Sequence, residues 1–342
     1  MFDTLASAVM ARPVSLAVAI DGAPVAGVER LELLQCGHFA ADRFRVMLAA
    51  GATPGGAAAF AGLQAGTVTI AIGLGGGVVS GDPILTGQID NVAVDFGAGQ
   101  IVLAGRDLSA RLIDTEVGQS FANQTASQIA EAFAADAGLA ANVTATSRPV
   151  GQYYELAHMR TGLGMHTRHA TRWDLLAGLA AFEQYSLSVI GTVLNFGPPA
   201  PAPASLVVFG RDLLTLVVDR ALGLVAPPVT VTSWNPKLKQ RFSTTAGPSG
   251  GTATAGGVTL LRPNLTQAEV DQEAAARQAA LAAQAVLLRA SMPGELTMVP
   301  DSVFALQGTG TVFDASYVVR TIERSVDTRQ GFVQRFEALQ VA

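Results

Sequence analysis

The sequence predicts a mainly β fold with α+β parts: two tube-like β-barrel domains, an inserted α/β module and one long helix. Three observations carry this prediction. Residues 13–105 break into short apolar runs separated by turn chemistry, as a sandwich or barrel requires. Helix starts with capping boxes then appear at Thr125 and Thr171. Finally, strand signals resume after a proline-rich connector and are interrupted by a third capped helix at Thr266.

In the first barrel, residues 1–113, Val14 to Ile20 leads into Asp21-Gly22, a strong hairpin signal, and the partner strand runs from Val28 to Leu34. Arg43 to Leu48 alternates charged and apolar side chains at its start, as a half-buried strand must. Ala49 to Gly66 is Gly- and Ala-rich and reads as a long loop with a helical turn near Ala57 to Leu63. Strands follow at Thr67 to Gly73, Ile84 to Asp95 and Gln100 to Ala104, six in all. Gly105 closes the last of them, so the stretch Gly105 to Asp114 marks the exit from the barrel.

The module at 114–200 opens with the Thr125 helix, on which Ile129, Phe133 and Ala137 recur at four-residue spacing until Gly138 ends it. Thr171 caps a second helix through Asp174, with Leu175, Leu179 and Phe182 on one face beside Trp173 and Leu176. Ser186 to Phe196 reads as a strand, a Gly-containing turn and a strand. Pro198 to Pro203 cannot pair in a sheet and is a stiff connector. The second barrel, residues 201–342, is assigned strands in 204–245 and 295–342: Leu206 to Phe209, Leu213 to Asp219, Val229 to Trp234, Leu238 to Thr244, Ser302 to Leu306, Ala315 to Val326 and Phe332 to Leu339. Residues 246–257 are Gly, Ala, Ser, Thr and Pro and read as a flexible loop. The third helix is expected over 266–290, with Thr266 and Glu269 as capping box, Leu265 and Val270 as staple and Pro293-Gly294 as stop.

Composition narrows the function classes. The 342 residues are 49% hydrophobic but only 14% charged, against roughly 25% in ordinary domains, so much surface is expected to be covered by other subunits. Net charge is −5 and lysine occurs only at Lys237 and Lys239, which argues against a protein that grips nucleic-acid phosphates. Mean hydropathy is +0.36, yet no run approaches the roughly 18–20 unbroken apolar residues of a membrane span. No basic segment precedes an apolar core near the first charge, Asp3, so no secretory signal is expected. Cys36 is the single cysteine, excluding an internal disulfide or a multi-cysteine metal site.

Motifs with chemical potential resolve to structural readings. Gly247-Pro248-Ser249-Gly250-Gly251 matches G-x-S-x-G in form, but sits in a low-complexity loop where no strand-to-helix turn can strain the serine. His158, His166 and His169 lack the i, i+4 spacing of helix-borne ligands, and Arg160, Arg168 and Arg172 would repel a cation. Gly73 to Gly77 lacks the helix of a phosphate loop and reads as a hairpin tip. No catalytic residue, metal ligand or cofactor site is assigned. Two sets of interaction candidates remain. Lys237, Lys239 and Arg241 would share one face of a strand, either as a solvated face or as a contact to an acidic neighbouring subunit. Leu108 and Leu112 would join the first barrel to the module. Gly210-Arg211-Asp212-Leu213 with Asp219 repeats Gly105-Arg106-Asp107-Leu108 with Asp114, but one copy ends a β region and the other begins one, so the likeness is set aside as chance.

Gly105 to Asp114 after a β domain, Phe121 to Ala130 opening a helix that ends at Gly138-Leu139, Thr171 to Leu176 with Leu179-Ala180 before a strand pair, and the Tyr317 to Phe336 hairpin with Gly331-Phe332 at its turn together resemble the phage late control gene D family. These are baseplate hub proteins of contractile-tailed phages and related injection machines. The resemblance spans roughly Ile84 to the C-terminus. The family's usual Gln-x-x-Glu-Thr-Asp-type lead into the Trp helix is here His166-Thr167-Arg168-His169-Ala170-Thr171, and the first 80 residues match in pattern alone. It implies a non-enzymatic hub in the virion baseplate, assembled in the host cytoplasm as a homotrimer with pseudo-sixfold symmetry. Implied partners are the tail tube or distal tail protein, the central spike, the tape measure protein and DNA passing through the lumen without sequence-specific binding. Alternatives are a tail tube or VgrG-like spike component, or a hub with peptidoglycan hydrolase activity.

Overall fold

The computed structural model describes residues 13–75, 82–118, 121, 123–147, 149–150, 152–153, 158–159, 171–199, 205–221, 227–235, 238–247, 257–262, 264–329 and 331–341. It is mainly β with α+β parts, as the sequence predicts. The first region holds β1 (Val14–Ile20), β2 (Ala23–Pro24), β3 (Val28–Cys36), β4 (Arg43–Ala49), α1 (Gly56–Ala61), β5 (Thr67–Leu74), β6 (Leu85–Asp95) and β7 (Gln100–Asp107). β3, β4, β5 and β7 alternate buried and more exposed residues, and Leu31, Leu33, Val46, Leu48, Val68, Ile70, Ile101 and Leu103 converge on one apolar cluster with Phe60 of α1. The sheet therefore rolls around its own core because one face of these four strands is apolar.

The chain leaves through α2 (Ala110–Ile113) into the α/β unit. There follow β8 (Gln124–Thr125), α3 (Ala126–Asp136), β9 (Ala140–Val143), the short β10 (Pro149–Val150), β11 (Gln152–Tyr153) and β12 (His158–Met159), then α4 (Arg172–Glu183), β13 (Ser186–Ile190) and β14 (Val193–Gly197). Both predicted capping boxes form: Thr125 accepts from Gln128 N–H and Thr171 from Asp174 N–H, while each partner side chain reaches back. The helices cover a three-stranded sheet in the order β13-β14-β9, with β9 parallel to β14. β9 is a short strand that the sequence pattern does not announce.

The second half contains β15 (Ser205–Val208), β16 (Thr215–Arg220), β17 (Val229–Asn235), β18 (Gln240–Ala246), β19 (Val258–Leu261), α5 (Gln267–Ala283), β20 (Val286–Pro293), β21 (Val303–Gln307), β22 (Ser316–Asp327) and β23 (Gly331–Gln340). Three expectations are corrected here. The helix expected over 266–290 stops at Ala283, and Val286 to Pro293 is a strand held between β16 and β23. Its leucines have good helix propensity, but alternate burial and pairing on both edges outweigh that preference. The strands at 229–246, expected in the second barrel, pair instead with β19 in a separate sheet ordered β18-β17-β19. Their apolar face packs on Val270 and Ala274 of α5, giving this sheet a core of its own. The third correction concerns the basic stripe: Lys239 is not on the strand but in the β17–β18 turn with φ +50°, and Lys237 lies outside the described residues.

The two rolled regions, each with its own core, are joined in one sheet. Thirteen strands form one sheet whose main path is β16-β20-β23-β22-β3-β4-β7-β6-β5-β1-β2, with β21 on β22 and β15 on β21. β22 makes the transition. Val303 to Ala305 of β21 pair with its N-terminal half, whereas Arg30 to Cys36 of β3 pair with its C-terminal half. A register shift against β23 between Val319 and Thr321 falls between the two, a bulge that bends the strand from one roll into the other.

Candidate functional site

One six-residue loop touches both rolls and the α/β unit. Residues 37–42, between β3 and β4, begin at the buried Gly37, whose N–H donates to Arg320 O at 2.9 Å, the carbonyl exposed by the bulge in β22. A side chain at Gly37 would stand 2.9 Å from the Asp301 carboxylate, so glycine allows this close approach. His38 Nε2 lies 3.2 Å from Asp301 Oδ2, tying the loop to the second roll. Phe39 adopts φ +72°, unusual for an aromatic residue, and this turns its backbone outward. Its N–H donates to Leu187 O at 3.1 Å, and its carbonyl accepts from Trp173 Nε1 at 3.3 Å. The loop is thus docked on the α/β unit through β13 and α4.

Asp42 ends the loop and faces the exit of the first roll. Its carboxylate accepts from Cys36 N–H at 2.8 Å, its own N–H donates to Asp107 Oδ2 at 3.0 Å, and its carbonyl accepts from Asp107 N–H at 3.0 Å. Asp107 in turn accepts from Ser109 N–H at 3.0 Å and from the Ser109 hydroxyl, setting the first turn toward α2. Arg106 beside it forks onto Asp90 and Asp114 at 2.7–3.0 Å, which fixes the end of α2 against β6. Gly105 is required here, because a Cβ would fall 2.0 Å from Gln88 O and 2.8 Å from the Phe44 ring.

The electrostatics follow from burial. Burial pushes the Asp42 carboxyl up to about 7; the Cys36 N–H opposes this and the nearby Asp107 charge adds to it. Asp107 is also raised by burial, against its hydrogen bonds from Ser109. The Asp301 carboxyl rises by burial, with His38 and Arg320 pulling it down. Cys36 is half-buried and its thiol is pushed up by burial, which keeps it protonated and unreactive. Arg324 of β22 is fully buried, and desolvation lowers its pKa to about 10. Its Nε donates to Glu295 O at 3.4 Å and its Nη2 to Met298 O, while Nη1 has no partner among the described residues.

Of the residues singled out from sequence, Leu108 and Leu112 are 2% and 0% exposed and belong to the α/β unit's core with Phe133, Trp173 and Leu176. The first-roll exit therefore inserts its two leucines into the next unit. Lys239 and Arg241 are exposed, remote in topology from this junction, and Arg241 stands opposite Trp234 in the β17–β18 ladder. The Gly-Arg-Asp-Leu likeness extends to burial: Asp107 and Asp212 are both buried and each is followed by a buried leucine. The settings differ, since Arg106 bridges two distant carboxylates whereas Arg211 pairs with its neighbour Asp212 in a turn. The G-x-S-x-G serine, His166 and His169 lie outside the described residues, and among those described no group of three His, Cys, Asp or Glu could hold a metal. No described helix is long and apolar enough to cross a membrane. Sequence reading missed loop 37–42 entirely, its one local signal being the Gly37 to Asp42 interruption between two alternating strands.

This fold, two rolls sharing one continuous sheet with an α/β unit docked at their seam, is similar to that of solved tail proteins. Comparison with solved structures is specific on this point. A tail protein from Neisseria meningitidis MC58 superposes with TM-score 0.73 at 14% identity, covering 96% of each chain. The prophage MuSo2 tail protein from Shewanella oneidensis gives 0.72 at 15% identity over 96% of this chain and 98% of that one. A component of the type VI secretion system from E. coli gives 0.56 at 11% identity over 95% of this chain and 77% of that one. No family model matches the sequence, and no curated protein matches it either.

Proposed function

We propose that this chain is a structural baseplate hub protein of a phage tail or related injection machine, and that three copies form a ring of six rolls. The observation that carries the reading is the β22–β3 pairing, which sets two rolls side by side in one sheet within a single chain. A trimer of such tandems presents six similar units to a sixfold tube and three chains to a threefold spike. The low charge density suits an assembly in which much surface is covered. So do the apolar side chains Phe96, Ile190, Leu261 and Val312, each at least 70% exposed, since such residues at strand ends and turns suit subunit contacts. Negative net charge and scattered arginines suit a channel that passes DNA without holding it. The tube, the spike and the tape measure protein are the partners this reading assigns, in the virion baseplate, with no chemistry of its own.

The test is native mass measurement of the purified chain. A trimer of 35.1 kDa subunits, about 105 kDa, supports the hub, whereas a hexamer supports a tube protein and a monomer at assembly concentrations refutes the ring. Peptidoglycan zymography addresses the hydrolase alternative, and a lytic band from the pure chain would overturn the non-enzymatic reading.

A further inference from the structure

One face of the thirteen-stranded sheet points away from both cores, and it runs unbroken across the seam between the rolls. Arg335, Glu323, Leu34, Arg43 and Arg106 stand in a single cross-strand row from β23 to β7, which passes from one roll to the other at the Glu323–Leu34 pair. Neighbouring rows set Arg289 opposite Glu337 and Glu32 opposite Arg45. Charged residues are only 14% of the chain, yet here they gather and are paired: Arg335 lies 3.7 Å from Glu323, Arg289 3.1 Å from Glu337, Arg30 2.8 Å from Glu32 and Arg106 2.7 Å from Asp90. Exposed pairs of this kind add little to stability, so stability does not account for them. No described large apolar side chain on β3, β4, β7, β20, β22 or β23 is exposed, whereas Leu206, Phe209, Leu214 and Val217 around β15 and β16, and Phe96 in the β6–β7 turn, are 41–79% exposed. The α/β unit follows β7, and the sheet that packs on α5 lies between β16 and β20 in the chain, so both leave from strand ends and the charged face stays bare.

We propose that this face is the wall of the channel, and that its carboxylates keep its arginines from gripping the nucleic acid that passes. The inference rests on the ring reading of the preceding section. Three tandems set side by side leave less perimeter inside the ring than outside it. The bulky side of the sheet, with both cores and α1, therefore belongs outside, and the thin charged face inside. The exposed apolar side chains around β16 and at Phe96 flank this face and are where neighbouring copies meet, while the face between them, lacking such side chains, stays in water. A protein holds phosphates by letting arginines exchange mobile counterions for them, and the released ions supply the affinity. On this wall Arg30, Arg106, Arg289 and Arg335 each already face a fixed carboxylate. A passing polyanion would displace no mobile ion there, and the carboxylate stays beside it and repels it. The wall is hydrated and charged in detail but nearly neutral in sum.

The experiment has two arms on the full chain. In a Cys36→Ser background, Ser325→Cys, opposite Glu32 on this face, and Glu131→Cys, exposed on α3, are labelled with biotin maleimide in the assembled ring and challenged with streptavidin, a protein wider than a channel for one duplex. Both should take biotin, and only Glu131→Cys should be shifted by streptavidin. Capture of Ser325→Cys in the intact ring, or its failure to label there, overturns the placement, whereas a chain that stays monomeric overturns the ring reading and this inference with it. In the second arm Glu32→Gln, Glu323→Gln and Glu337→Gln are combined and compared with Asp82→Asn, Glu116→Gln and Glu131→Gln, three exposed carboxylates off this face that change net charge equally. Duplex DNA should be retained by the first triple variant alone, and for three phosphates neutralised the binding should weaken about 40-fold between 50 and 200 mM salt. Retention by the parent or by the control variant to the same degree, or by neither triple variant, overturns the role of the carboxylates.

Discussion

Replacing Asp42 by Asn should stabilise the protein above neutrality and leave it nearly unchanged in mild acid. The folded chain raises this carboxyl from 3.8 to about 7, chiefly by burying it. Between those values the native state keeps a proton that the unfolded chain gives up. The associated stability is therefore complete below about pH 4 and is lost as pH rises to 7. A shift of about three units corresponds to about 4 kcal/mol at most, which is the upper bound of the gain for a residue that cannot ionise. Asn retains an acceptor for Cys36 N–H, so the expected gain is about 2–4 kcal/mol at pH 8 and about 1 kcal/mol or less at pH 4.5. Urea unfolding followed by fluorescence suits the measurement, because the only tryptophans are Trp173, which donates to Phe39 in the same loop, and Trp234, which can be replaced by Phe. A difference between variant and parent that does not change with pH, or a loss at pH 8, would refute the account of Asp42.

Further substitutions probe other parts of the junction. Gly105→Ala should cost about 3 kcal/mol or more in calorimetry, since the new methyl meets Gln88 O and Phe44, whereas Gly178→Ala in α4, with open space around it, should gain about 0.5–1 kcal/mol. Equal effects from the two would mean that close approach is not what Gly105 provides. Leu108→Asp with Leu112→Asp places two carboxylates in the core of the α/β unit and should separate it from the first roll and prevent trimer formation. A normal trimer on a sizing column contradicts this. Lys239→Glu with Arg241→Glu, both exposed, should change stability by less than about 0.5 kcal/mol yet weaken self-association if the turn meets an acidic neighbour, and unaltered association removes that contact from consideration.

Much of the fold was readable because its signals are local. Thr125 with Gln128 and Thr171 with Asp174 set two helix starts within four residues each, and both capping boxes form. The alternation of Arg43 to Leu48 fixes which side of β4 is buried. Where the sequence misled, partners distant in the chain decided. Val286 to Met292 is a strand because Thr215 to Arg220 and Val333 to Leu339 flank it. Leu108 and Leu112 were legible as a junction, but their docking on Trp173 and Leu176 depends on a helix some sixty residues away. Loop 37–42 was illegible for the same reason: Arg320, Leu187 and Asp107 reach it across the whole chain, and no spacing within the loop encodes them.

The bulge in β22 and the buried Arg324 together explain why one sheet encloses two cores rather than one. On β22, Ile322 packs into the second roll's cluster and Val326 into the first, with Arg324 between them on the same face. A large apolar residue at 324 would let the two clusters merge across the seam. The guanidinium instead directs donors at Glu295 O and Met298 O, which stitches the segment after β20 across the seam and ends each cluster at a polar layer shared with Gln334 and Gln35. Such a layer lowers stability relative to a continuous core and in return fixes where one roll stops and the next begins. Loop 37–42 lies at the end of that layer, with Gly37 on the bulge carbonyl and Asp42 near the arginine. The polar layer that divides the rolls thus ends beside the loop whose Phe39 backbone holds the α/β unit.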